Sequence, residues 1–146
     1  ILFTKSQYKI SFFRGCWRLN SMFGNLKKAA SMEVRSRATG ELFTVARRIT
    51  DDTGIKDFSV SYEELLPGSR TSSPHFHSKK DEIYLVLSGS VSVYLNDKKE
   101  IINAGDYVVF KSGTRESHYL VNETKNKTEL LMINSCPPDD IIEYQI

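Results

Sequence analysis

The three histidines of the chain and one glutamate are spaced so that they could meet at a single metal ion. The order is Pro74-His75-Phe76-His77, a four-residue polar stretch, Glu82, and much later His118. In an extended strand, residues two apart leave the same face, so His75 and His77 would stand side by side with Cα atoms about 7 Å apart. That separation lets a nitrogen of each ring reach one ion at roughly 2.1 Å. Glu82 adds a hard oxygen donor just after the turn Ser78-Lys79-Lys80-Asp81. Three imidazoles and one carboxylate leave open positions on a five- or six-coordinate ion, whereas a structural zinc site closes all of its four. Imidazole suits Fe, Ni, Cu and Zn and the carboxylate helps Mn and Fe, so the donors point to one divalent transition metal without choosing among these five. An ion with an open position would polarise a substrate oxygen or bind O₂. The rings must be neutral to ligate, so affinity is expected to weaken below about pH 6.

Short strands must carry these groups. Residues 41–46 read as a first strand, with turn chemistry at Asp51-Asp52-Thr53-Gly54. Phe58, Val60 and Tyr62 alternate with Ser59, Ser61 and Glu63, the period of a half-buried strand with an apolar and a polar face. Leu66-Pro67-Gly68 turns the chain, 82–87 is a further strand, and Gly89 permits a bend into 91–95. Hairpin turns follow at 96–99 and 103–106, then strands at 107–110, 119–121 and 130–133 around the polar loop 123–129. Within 32–146, helical period is confined to residues 141–146. Strands at intervals of about 8–12 residues predict an all-β barrel or sandwich.

The chain of 146 residues, 40% hydrophobic and 26% charged, suits one globular domain with one core. Its net charge of +2 conceals an asymmetry. Residues 1–31 carry Lys5, Lys9, Arg14, Arg18, Lys27 and Lys28 with no acid, while 32–146 hold 14 basic against 18 acidic residues. The domain at 32–146 is therefore mildly acidic, which argues against a nucleic-acid partner. No run reaches the length of a membrane span. Cys16 and Cys136 lie far apart and read as free thiols, as expected in the cytoplasm. The basic extension 1–31, with apolar residues at helical spacing over 11–26, has the composition of a mitochondrial or plastid transit peptide, which would make the location organellar. A disordered extension or a helix packed on a partner subunit is the other reading.

The site residues also fit a family pattern. Gly68, His75-x-His77, Glu82 and Gly89 resemble the first cupin motif, with one extra residue between Gly68 and His75. Gly105, Gly113, His118 and Asn122 resemble the second. Two departures stand out: Lys111 replaces the usual proline, and four residues rather than two separate Gly113 from His118, a spacing that resembles small single-domain cupins. The resemblance covers residues 41 to about 136. It implies a double-stranded β-helix (jelly-roll) barrel with the metal inside, held by His75, His77, Glu82 and His118, and a homodimer formed through sheet edges.

For such a site the expected function is that of a metal-dependent dioxygenase or isomerase/epimerase acting on a small polar metabolite. The other classes are a non-catalytic cupin that binds a sugar or senses a metabolite, and a structural cupin with a vestigial site. Tyr84 shares the face of Glu82 and is the candidate proton donor. Arg115 and Lys111 flank His118 and are candidates for holding an anion, with a solvated loop as the alternative. Asn122 either orients a ligand or caps a turn. Asn122-Glu123-Thr124 and Asn126-Lys127-Thr128 match glycosylation sequons and are read as coincidental.

Overall fold

The structure is a computed structural model that describes residues 23–51 and 53–145. The first 22 residues, with Cys16 and most of the helical-spacing stretch, lie outside the described residues. Eleven strands follow a single 3₁₀ turn at Leu26–Lys28. They are β1 (Met32–Arg35), β2 (Leu42–Arg48), β3 (Phe58–Leu65), β4 (His75–His77), β5 (Glu82–Ser88) and β6 (Ser90–Leu95). Then come β7 (Lys98–Asn103), β8 (Tyr107–Phe110), β9 (His118–Val121), β10 (Thr128–Ser135) and β11 (Ile142–Tyr144).

Two antiparallel sheets face each other, with strand orders β1-β2-β3-β10-β5-β8 and β11-β4-β9-β6-β7. After β3 the chain changes sheet at nearly every connection, which winds it into the expected double-stranded β-helix. Sequence reading missed β1 and β7. It also took Lys98 and Lys99 for turn residues, although they open β7 and pair with Leu95 and Tyr94. The tail at 142–144 is a strand rather than a helix: an exposed edge of β4 supplies its hydrogen-bond partners, and tertiary pairing overrides a short local period.

The strand β3 faces opposite to its apolar pattern. Ser59, Ser61 and Glu63 point inward and are buried; on the alternate positions Tyr62 is buried as well, and Phe58 is exposed at the strand's start, where it borders the cavity. The cause is visible in the pairing. Ser61 lies level with Met132 and Tyr84, and Ser59 with Asn134 and Glu82, all on the inner surface. Along β3, β10 and β5 the inner residues change from Leu65, Leu130 and Val86 at one end to Ser59, Asn134 and Glu82 at the other. The apolar end packs with Val91, Val93 and Leu120 as the hydrophobic core. The polar end is a cavity. Outside, the same sheet carries an apolar surface on which Ile133, Ile83 and Val109 form one cross-strand row and Leu131, Leu85 and Tyr107 the next.

Two residues of the family pattern have structural roles here. Gly89 takes a φ of +82°, and a Cβ there would come within 3.0 Å of the Thr128 hydroxyl and 3.3 Å of backbone, so only glycine fits. Asn122 is fully buried; its amide donates to the carbonyls of Leu65 and Asn126 and its oxygen accepts from Thr124. It caps the turn before β10 and is inaccessible to glycosylation in the folded chain. Among the described residues no helix is long and apolar enough to cross a membrane, and Cys136 is a free, exposed thiol.

Candidate metal centre

Strand β4 is only three residues long, and its neighbours aim it. His75 pairs with His118 on β9, while Tyr144 and Ile142 of β11 pair with His75 and His77 on the other side. Both histidines point inward and are buried, and Phe76 between them faces out, as the two-residue period requires. Glu82 opens β5 on the facing sheet and is equally buried. Donor atoms of His75, His77 and Glu82 all lie within 4.8 Å of one another. His118 joins them through Glu82, its Nε2 lying 2.9 Å from Oε2, and its ring stacks on Phe110 at 3.9 Å. All four predicted residues therefore converge.

The outward sides of the three rings explain what the inward sides can do. His75 Nδ1 lies 2.9 Å from the Ser73 carbonyl oxygen, His77 Nδ1 2.6 Å from Asp140 Oδ2, and His118 Nδ1 3.2 Å from the Glu116 carbonyl oxygen. An oxygen acceptor at each Nδ1 assigns the proton to that nitrogen and leaves Nε2 with its lone pair. Three lone pairs then converge on the Glu82 carboxylate, at 4.0 Å from His75, 3.4 Å from His77 and 2.9 Å from His118. Such a set is mutually repulsive unless a cation or added protons sit between its members. This donor chemistry fits a divalent metal ion, held by the three Nε2 atoms and Glu82, with the Nδ1 contacts fixing ring orientation.

Charge states agree with that arrangement. Burial pushes the His75 imidazolium down to about 4, against the pull of the Glu82 carboxylate, so this ring stays neutral well below pH 6. For His75 the expected loss of ligating ability moves toward pH 4. Burial alone would push Glu82 up; without a metal ion, protons added at Nε2 of His118 and His77 donate to its carboxylate, outweigh burial and hold the carboxyl well below the usual range. Asp140 behaves likewise. Burial raises it, and the backbone N–H of Lys79 and the His77 ring hold it low.

Asp140 was not legible as a site residue. It lies 63 residues beyond His77, in a polar tail with no local pattern. Its second oxygen accepts from the backbone N–H groups of Lys79 and Lys80 at 2.9 and 3.1 Å, tying the turn between His77 and Glu82 to the tail.

His75, His77 and Glu82 form one wall of a cavity of about 520 Å³, a size suited to a small molecule, with His118 beside them against Glu82. Tyr84 lines it, as expected, with its ring edge-on to Phe110. Tyr144, Arg48 and Glu63 line it too, and sequence reading passed over all three. Arg115 and Lys111 do not reach the cavity. Arg115 is largely exposed, 3.9 Å from Glu143 and over the outward Phe76 ring, and Lys111 is exposed.

With fold and site in hand, comparison gives the class. The chain belongs to the cupin family: the Cupin domain matches residues 61–134, just over half its length. Among solved structures it is similar to a sugar phosphate isomerase of the cupin superfamily from Silicibacter pomeroyi, with 25% identity and a TM-score of 0.67 over 70% of this chain and 65% of that one. It also resembles the polyketide cyclase RemF from Streptomyces resistomycificus, with 27% identity and a TM-score of 0.59 over 70% and 71% of the two chains. A double-stranded β-helix protein from Klebsiella pneumoniae, 15% identical with a TM-score of 0.64 over 86% of this chain and all of that one, shares the fold alone. The alignment spans a little under two thirds of the Silicibacter protein. Among curated proteins no match is found.

Glu63 supplies a test of the cavity's polarity. Burial, helped by the Glu82 charge and opposed by Arg48, pushes its carboxyl up to about 8. A folded value above the unfolded one means that its stabilising contribution is complete below about 4.5 and is lost as pH rises toward about 8. Glu63→Gln, neutral at every pH, should gain stability relative to wild type across that window and level off above it. Urea midpoints measured side by side give this difference; a flat difference would place the carboxyl in contact with water.

Proposed function

We propose that this cupin binds one divalent transition metal ion through His75, His77, Glu82 and His118 and acts as an isomerase or epimerase on a small, oxygen-rich metabolite. The observation that carries the reading is the convergence of three Nε2 atoms on one buried carboxylate, with His75, His77 and Glu82 lining a cavity of a size for a small molecule. The likeness to a sugar phosphate isomerase favours the same direction. When bound, the ion supplies Lewis acidity to a carbonyl or hydroxyl oxygen. The chain's own residues do the rest. The histidine wall orients the ligand's oxygens, the Phe110 ring shields His118, and the Tyr84 hydroxyl holds the proton that moves between ligand oxygens or carbons.

Native protein should contain about one divalent ion per chain by elemental analysis, and the His75→Ala/His77→Ala variant should contain none. Asp140→Asn, with its one amide oxygen held by the Lys79 and Lys80 N–H groups, turns an NH₂ donor toward His77 Nδ1 and should weaken metal affinity by about 10- to 100-fold in chelator competition. Full occupancy in the double histidine variant would refute the ligand assignment.

Turnover of hydroxy-carbonyl compounds in deuterated water should proceed without O₂ and place deuterium on carbon. A strict requirement for O₂ would instead identify a dioxygenase, and ligand recovered unlabelled under all conditions would leave a binding protein. Tyr84→Phe keeps the ring packing and should lower kcat by about 10²- to 10⁴-fold with ligand affinity nearly unchanged.

A second copy of the chain is the proposed protein partner, docked on the outer face of the six-stranded sheet. Tyr107 and Val109 are more than half exposed there, beside Ile83 and Leu87, an apolar surface of the kind that marks an interface. Wild type should sediment as a dimer and Val109→Glu as a monomer. A wild-type chain that stays monomeric at high concentration removes this reading.

A further inference from the structure

The cavity has a second polar pole that the metal reading leaves unused. Glu63 is 4% exposed, points inward from β3, and its Oε2 has no hydrogen-bond partner among the described residues. Arg48 on the neighbouring strand β2 has a buried Nε, also without a hydrogen-bond partner among the described residues. Arg48 is level with Ser61, and Glu63 with Ala46, so the two are diagonal cross-strand neighbours on the inner surface. Arg48 also makes a long ion pair to Asp51, at 3.7 Å. Both residues line the same cavity as His75, His77 and Glu82.

Resting on the proposed function, we infer that Glu63 and Arg48 form a hydroxyl-recognition subsite, so that the ligand is a polyhydroxylated acid or sugar rather than a simple hydroxy acid. Buried polar atoms without partners are costly and are normally satisfied by water or ligand. An N–H donor beside a carboxyl oxygen is matched by an alcohol, which accepts from the first and donates to the second, or accepts from both when the carboxyl is protonated. A hydroxyl reproduces what a trapped water would do there, whereas a methylene displaces the water and leaves both groups unpaired. A site built to bond a hydroxyl discriminates strongly against the analogue that lacks it.

Three probes separate the two ends of the site when titrated calorimetrically into the full chain loaded with Mn(II). Glycolate carries only the carboxylate and α-hydroxyl that would face the histidine wall. 2-Hydroxyhexanoate adds length without hydroxyls, and D-gluconate adds length with them. All three should bind, with D-gluconate at least tenfold tighter than 2-hydroxyhexanoate. Glu63→Leu should erase that preference and leave glycolate affinity unchanged, while Glu63→Gln, which retains an acceptor, keeps most of it. Equal binding of the two longer probes by wild type overturns the subsite even if a variant fails to fold. So does a preference that survives Glu63→Leu. Gluconate binding that depends on Glu63, with no binding of glycolate, would instead sink the reading of the histidine end and keep the subsite. Failure of all three probes overturns both.

Discussion

Like partial charges forced together in a buried place set the terms for this molecule. Three imidazole nitrogens and a carboxylate point at one another from two facing sheets, and all four side chains are buried. No side chain adopts that arrangement for its own benefit. It persists because each ring is anchored from behind by an oxygen, and because the strands carrying the rings are held by pairing on both sides. The anchors decide the tautomers, and the tautomers decide that electron density faces inward. A cation is the ordinary remedy for such a cluster.

The barrel sustains the cluster by dividing its interior along the strand direction. The aliphatic end, built from residues such as Leu65, Val86, Leu120 and Leu130, supplies the burial that stabilises the fold. The polar end gives up some of that stabilisation, with Ser59, Ser61, Glu63 and Asn134 occupying positions that a purely structural sandwich would fill with aliphatic groups. Buried hydroxyl, amide and carboxyl groups around a cavity are what a small oxygen-rich guest requires of its container.

How much of this was readable beforehand follows from the range of the interactions. The histidines and Glu82 announced themselves because two of them obey a two-residue period and the third donor lies one turn away. The strands with local alternation and turn residues at their ends were equally plain. The alternation in β3 left its orientation open, since an amphipathic strand does not say which face meets the interior when that part of the interior carries polar groups. The burial of Glu63 became visible only once β10 and β5 fixed the pairing. Asp140 and Tyr144 left no local trace, because their meaning depends on a partner strand some sixty to seventy residues earlier. Asn122 was legible as a family residue with two candidate roles, and hydrogen bonds to Leu65, Thr124 and Asn126 decide for the turn cap.

The placement of Asp140 and β11 also has a bearing on biosynthesis. The rings of His75 and His77 are synthesised early, yet the acceptor for one and the flanking strand for both arrive only with residues 140–144. Until residues 140–144 have been added, the central strands can pair, but the His77 ring lacks its acceptor and β4 lacks one of its two flanking strands.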